Sequence, residues 1–284
     1  KDGWSMYHGQ KVPGFPRHPH RGFETLTVVS KGFIDHADSL GASARYGNGD
    51  AQWLTAGDGI NHSEMFPLFR QNGNNKLDFF QIWLNLPSYN KRVEPNFEMY
   101  WEDEIPKISS NLNGNKNVQV EIITGDYLDF SSPIAPKNSW ASNKKNDVAV
   151  WIIRLGRNGK FALNDTKSGA KRNLYVLKGS NIEIAGQTIS GGSMVTLDSS
   201  KNTVIKNLGS KTKILMLQGV PINEPVVKYG PFVMNTRSEI EQAFYDYNRT
   251  EFGGWKWGNS DPVHGTEPEK FAKLISGKII KPRK

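Results

Sequence analysis

The 284-residue sequence predicts an all-β protein, mostly antiparallel, built as two barrels of similar plan with one short helix near the C-terminus. Three observations predict it. Apolar and polar residues alternate with period 2 over short runs, and turn residues separate those runs. A β-rich run closed by Lys-Gly also occurs twice, at Leu26 to Gly32 and at Leu174 to Gly179, as a duplicated barrel would give.

In chain order, Glu24-Thr25-Leu26-Thr27-Val28-Val29 leads into Lys31-Gly32, and Phe79-Phe80-Gln81-Ile82-Trp83-Leu84 leads into Asn85 and Pro87. Each reads as a strand followed by a turn. A Pro-, Ser- and Asn-rich stretch from Ile105 to Asn117 separates these from a second set, at Val118 to Ile123, Val148 to Ile153, Leu174 to Leu177 and Ile214 to Leu217. Arg237 to Asn248 is the one convincing helix, because Thr236 can cap it and Ile240, Ala243, Phe244 and Tyr247 recur at helical spacing. Beyond Gly253 the chain is too polar and too rich in Gly and Pro to assign an element. The expected organisation is a barrel over 1–105, a second barrel over 118–220, and a segment 221–284 carrying the helix and a basic tail.

Composition excludes several chemistries. There is no cysteine, so disulfides, thiolate catalysis, Fe–S clusters and thiolate zinc sites are ruled out, and any metal must be held by nitrogen and oxygen. No stretch approaches the roughly 18 apolar residues of a membrane span and no targeting segment is evident, so a cytoplasmic protein without a membrane partner is expected. The net charge of +8 invites a nucleic-acid reading, but six basic residues and no acid lie in Lys270 to Lys284. Removing those six from 36 leaves 30 basic against 28 acidic residues, so the excess belongs to a solvated tail and no direct nucleic-acid contact is expected.

Of six histidines, three fall in two short stretches: His18 and His20 in Gly14 to Thr25, and His62 in Gly59 to Glu64. On a strand, residues i and i+2 share a face, so His18 and His20 can converge on one point, and so can His62 and Glu64. Pro19 lacks an N–H and confines its segment to a sheet edge or barrel rim. Three imidazoles and a carboxylate without sulfur suit Fe(II), and by affinity also Mn, Ni, Cu or Zn. Four protein ligands on an octahedral ion leave two positions open, as catalysis requires. Glu24 lies an even number of residues from His20, and spacing does not choose between Glu24 and Glu64. His36 reads as a hydrogen-bonded or exposed side chain at a strand end, and His8 and His264 as surface residues. Phe23, Trp53, Gln81 and Trp83 come from strands expected to flank the metal, where they wall a pocket or simply fill the barrel.

The stretches "GFPRHPHRGFET", "DSLG", "GDAQWLTAGDGINHSEM", "FQIWLNLP" and "EPVVKYGPFVMNT" together resemble the pirin family, bicupins of the cupin superfamily. The likeness is dense from Gly14 to Glu104 and returns from Pro221 to Tyr247. It implies two jelly-roll-like cupin barrels packed face to face, with one iron in the N-terminal barrel held by His18, His20, His62 and Glu64. Glu24 is then a hydrogen-bond partner outside the ligand set. No histidine occurs between Ser63 and Val263, which independently argues against a metal in the second barrel. Pirins usually carry several strands' worth of chain before Gly-Phe-Pro, whereas thirteen residues precede it here, so an N-terminally trimmed form or a shorter subgroup is expected.

As function, the resemblance implies a mononuclear metal-dependent dioxygenase acting with O2 on flavonols such as quercetin, with Glu64 also the catalytic base. Its alternative is an iron-dependent, redox-sensing interaction protein or transcriptional cofactor that binds a protein partner without turnover.

Overall fold

The computed structural model describes residues 11–70, 72–109, 117–166, 168–179 and 181–283. The chain forms two compact units: 1–103 together with 224–284, and 104–223. The C-terminal segment is thus part of the first unit rather than a body of its own.

In the first unit the strands run β1 (Gly14–His20), β2 (Phe23–Lys31), β3 (Phe33–Asp38), β4 (Ser43–Gly47), β5 (Ala51–Thr55), β6 (Ile60–Met65), β7 (Asp78–Asn85) and β8 (Asn96–Tyr100). The second unit continues with β9 (Lys107–Ser109), β10 (Val118–Thr124), β11 (Ala149–Leu155), β12 (Lys160–Leu163), β13 (Lys171–Gly179), β14 (Ile182–Ile184), β15 (Gln187–Ile189), β16 (Met194–Leu197), β17 (Thr203–Asn207) and β18 (Thr212–Gly219). The chain then returns to the first unit through β19 (Val227–Tyr229), β20 (Phe232–Met234), α1 (Arg237–Thr250), β21 (Phe271–Lys273) and β22 (Ile279–Ile280).

Each unit holds a six-stranded sheet and a four-stranded one, and the first adds the two-stranded β19–β20. The orders are β1-β6-β3-β4-β21-β22 and β7-β2-β5-β8 in the first, and β16-β13-β18-β11-β10-β9 and β12-β17-β14-β15 in the second. The repeated plan bears out the duplication read from the two Lys-Gly runs. In the first unit Val29 and Leu54 from one sheet and Ile34, Tyr46 and Ile60 from the other pack into one buried cluster, the two-layer arrangement of a jelly roll.

The second unit is filled differently. Val120, Ile122, Trp151, Ile153, Phe161, Leu174, Val176, Ile214 and Met216 form a continuous apolar core, and among the described residues the histidine cluster able to hold an ion lies in the first unit.

The helix begins where its sequence signature places it. Thr236 Oγ1 accepts from the Glu239 N–H while the Glu239 carboxylate accepts from the Thr236 N–H, a reciprocal capping box. The C-terminal tail differs from the expected solvated end, because β21 pairs with β4 and Lys270 Nζ lies 2.9 Å from the buried Asp50 carboxylate. Periodicity could not reveal β21 and β22, since strands of three and two residues are too short to show an alternation.

Candidate metal centre

The centre is built on the paired strands β1 and β6. Their antiparallel register sets His18 opposite His62 and His20 opposite Ile60, with a bulge between Phe15 and His18. β1 is the edge strand of its sheet, as Pro19 requires. One ring nitrogen from each of His18, His20 and His62 lies within 4.8 Å of the other two, and His20 and His62 are buried.

The hydrogen bonds around these rings prepare them to bind a cation. His18 Nδ1 donates to Pro16 O at 2.8 Å and His20 Nδ1 to Pro231 O at 3.3 Å. A carbonyl only accepts, so each Nδ1 carries the proton and each Nε2 presents its lone pair. Both nitrogens of the fully buried His62 lack a hydrogen-bond partner, a costly state that coordination would relieve. Burial pushes the His20 imidazole down to about 3, aided by the neighbouring charge of His18. Burial likewise holds His62 well below its ordinary value, with His18, His20 and His36 adding to the effect. Neutral imidazoles at neutral pH are what a transition metal needs, so the residues present fit such an ion.

Glu64 lies beside this triad rather than within it. Its Oε2 is 4.0 Å from His62 Nε2, and Gln81 Nε2 donates to its two oxygens at 2.9 and 2.7 Å. Thr27 Oγ1 lies 3.4 Å from Oε1. The carboxylate is therefore fixed from the opposite sheet, on the same face of β6 as His62.

Glu24 is on the wrong face. It pairs in register with Thr55, whereas Thr27, three residues on, pairs with Gln52 and Gln81 and reaches Glu64. An odd separation on a regular strand means opposite faces. The Glu24 carboxylate accepts from Thr55 Oγ1 at 2.7 Å. The even spacing from His20 misleads because Gly22, at φ 84°, turns the chain between β1 and β2. A Cβ there would lie 2.0 Å from Val233 O, so the turn admits only glycine.

The same parity sorts the expected pocket residues. Trp53 pairs with Leu26 on the face away from the cluster, so it fills structure there rather than walling the site. Phe23, Gln81 and Trp83 share the cluster face. The Phe23 ring stands 5.0 Å from that of His20, and the exposed Trp83 ring lies 5.6 Å from His20 and 4.2 Å from Phe23.

Other groups near the centre carry little signal in the sequence. His36 is fully buried, its ring 5.6 Å from that of His62, and its Nε2 is 3.1 Å from Asp38 Oδ2. It is thus hydrogen-bonded rather than exposed, and its i, i+2 spacing to Asp38 was the available clue. Tyr46, whose hydroxyl donates to Gln52 Oε1 at 3.4 Å, is pushed well above its ordinary value by burial and by the Glu64 charge, so it stays a phenol. His264 departs from a surface role, since its Nε2 lies 2.7 Å from His36 O and it is half-buried. His8 lies outside the described residues.

The C-terminal segment completes the centre. The β19–β20 hairpin supplies Pro231 O to His20, and Phe232 bridges to Arg21. The buried Arg21 donates to Asp246 Oδ2 of the helix at 2.7 Å and lies 4.5 Å over the Phe252 ring.

Two barrels of one plan, one carrying a histidine cluster and the other an apolar filling, define a bicupin with, among the described residues, a single candidate metal centre. The chain belongs to the pirin family: residues 2–84 match the family model described as Pirin, and residues 150–253 match that described as Pirin C-terminal cupin domain. It is similar to pirin-like protein 2 of Arabidopsis thaliana, at 34% identity over 83% of this chain and 70% of that protein. It is also similar to human pirin, at 31% identity over 87% of this chain and 80% of the relative. Among solved structures, a quercetin 2,3-dioxygenase from Acinetobacter baumannii aligns with a TM-score of 0.77 at 31% identity, covering 88% of this chain and 83% of that one. Among the described residues, no helix is long and apolar enough to cross a membrane.

Proposed function

We propose that this chain is a mononuclear metal-dependent dioxygenase that opens flavonols such as quercetin with O2. In this reading His18, His20, His62 and Glu64 hold one Fe(II) ion. The observation that carries it is the convergence of three imidazoles on one point, beside a carboxylate that two side chains of the opposite sheet hold in place. The likeness to the Acinetobacter enzyme named quercetin 2,3-dioxygenase supports the substrate class.

A bound divalent iron supplies Lewis acidity toward a substrate oxygen and a redox couple for dioxygen. The chain's own residues do the rest. Glu64 accepts the proton of the substrate hydroxyl at its carboxylate, and Gln81 and Thr27 keep that carboxylate turned toward the triad. Phe23 and Trp83 offer an aromatic wall against which a flat polyphenol packs and from which water is excluded. Each ring opened consumes one O2 and releases one carbon monoxide.

The test is metal analysis of the purified protein, anaerobic mixing with quercetin, then measurement of oxygen uptake and carbon monoxide release. Glu64→Gln should keep the fold while lowering turnover by about 10²- to 10⁴-fold. A metal-loaded protein that consumes no oxygen with any flavonol sinks the reading in favour of a role without turnover.

A further inference from the structure

The rim of the histidine cluster holds a cation that the dioxygenase reading does not use. Lys228, on the β19–β20 hairpin, places its Nζ 4.3 Å from the centroid of the Trp83 ring. Trp83 in turn lies 5.6 Å from the His20 ring and is 38% exposed. The hairpin thus does two things at once: Pro231 O orients His20, and Lys228 brings a positive charge to the rim, one ring removed from it.

The two arginines flanking the cluster are neutralised. Arg17 pairs with Glu251 at 3.3 Å, and Arg21 with Asp246 and Asp58 at 2.7 and 3.4 Å. Lys228 is exposed and has no carboxylate within 4.0 Å among the described residues. A cation–π contact at an exposed site is worth only about 0.5–1 kcal/mol, so the ammonium is parked over the indole and free to turn to an incoming anion. The 46% exposed Phe15 stands 6.3 Å from His18 and adds aromatic surface beside the triad.

We infer that this mouth selects planar aromatic molecules bearing a negative charge, as a carboxylate or an ionised phenol, with Lys228 as counter-ion and Trp83 as packing surface. The inference rests on the histidine cluster being where substrate binds, and it adds a charge requirement to the substrate class. A neutral aromatic of the same shape gains the packing alone, whereas an anion also gains the charge of the exposed Lys228.

The experiment is calorimetric titration of the full, metal-loaded chain without oxygen, so that binding is read apart from turnover. The carboxylate arm compares flavone-8-carboxylate with flavone, and the phenolate arm compares quercetin above and below its first ionisation. In the wild type the anion should bind about fivefold more tightly than its neutral partner, the value of an exposed charge pair. High salt should erase that advantage and leave the neutral ligand unaffected. Lys228→Gln, which keeps most of the side chain over the indole, should abolish the preference, Lys228→Glu reverse it and Lys228→Arg restore it. Trp83→Leu should weaken anion and neutral alike. Equal binding of both members of each pair by the wild type, a preference that survives in Lys228→Gln, or failure of every probe to bind overturns the inference. Charge discrimination without oxygen uptake in a parallel aerobic assay would sink the dioxygenase reading and leave this one standing.

Discussion

His20 concentrates the chemistry of the centre in one side chain. Its Nδ1 donates to a carbonyl from the far end of the chain, and burial keeps the ring neutral down to about pH 3. The unfolded imidazole takes a proton near 6.5, so between the two values the unfolded chain binds more protons than the folded one. Stability of the metal-free protein therefore rises with pH across that window, is complete above it, and is lost as pH falls toward the folded value. His20 alone contributes a slope of about 1.4 kcal/mol per pH unit, with His62 adding in the same direction. Urea unfolding of metal-free protein at about pH 5 and about pH 7 should show the loss on the acid side, and His20→Gln should flatten it. The gathering of His18, His20 and His62 was legible in the sequence, because the i, i+2 pairing needs only local strand geometry. That Glu24 faces away was not, because its side depends on the Gly22 turn and on pairing with strands more than twenty residues distant.

Strands β1 and β2 and the β19–β20 hairpin are tied together by a single buried ammonium. Lys91 Nζ donates to Gly22 O at 2.8 Å, Asn85 Oδ1 at 2.6 Å and Val233 O at 3.1 Å. It thereby pins the turn after His20, the end of β7 and the hairpin to one point. Lys91→Met should cost about 2–3 kcal/mol, because it leaves buried acceptors without a donor. The urea midpoint reads that cost, and metal affinity should fall with it; an unchanged midpoint would mean water replaces the ammonium. The helix was legible to within two residues of its end, since a capping box and a 3.6-residue period are both local. Strands β21 and β22 were not, because they exist only through their pairing with β4 and with each other.

The first unit is assembled from both ends of the chain, and the second is the uninterrupted stretch between them. An excised 104–223 should melt in one cooperative transition, because its apolar core lies wholly within that stretch, and it should bind no stoichiometric metal. A fragment ending at 103 should fail to hold metal, since it lacks Pro231 O for His20 and strips the buried Arg21 of its shorter ion pair, to Asp246, leaving only Asp58 at 3.4 Å. Circular dichroism and metal analysis of the two fragments check both outcomes. Fold class, duplication, the strands and helix of strong period, and the confinement of histidines to one barrel all follow from local pattern and composition, which need no partner to be read. The closing of the first unit by its own C-terminus, the face on which each carboxylate sits and the delivery of Lys228 to the rim all depend on contacts between residues far apart in the chain. Such contacts leave no periodic trace, so strand register and packing fixed what local spacing left open.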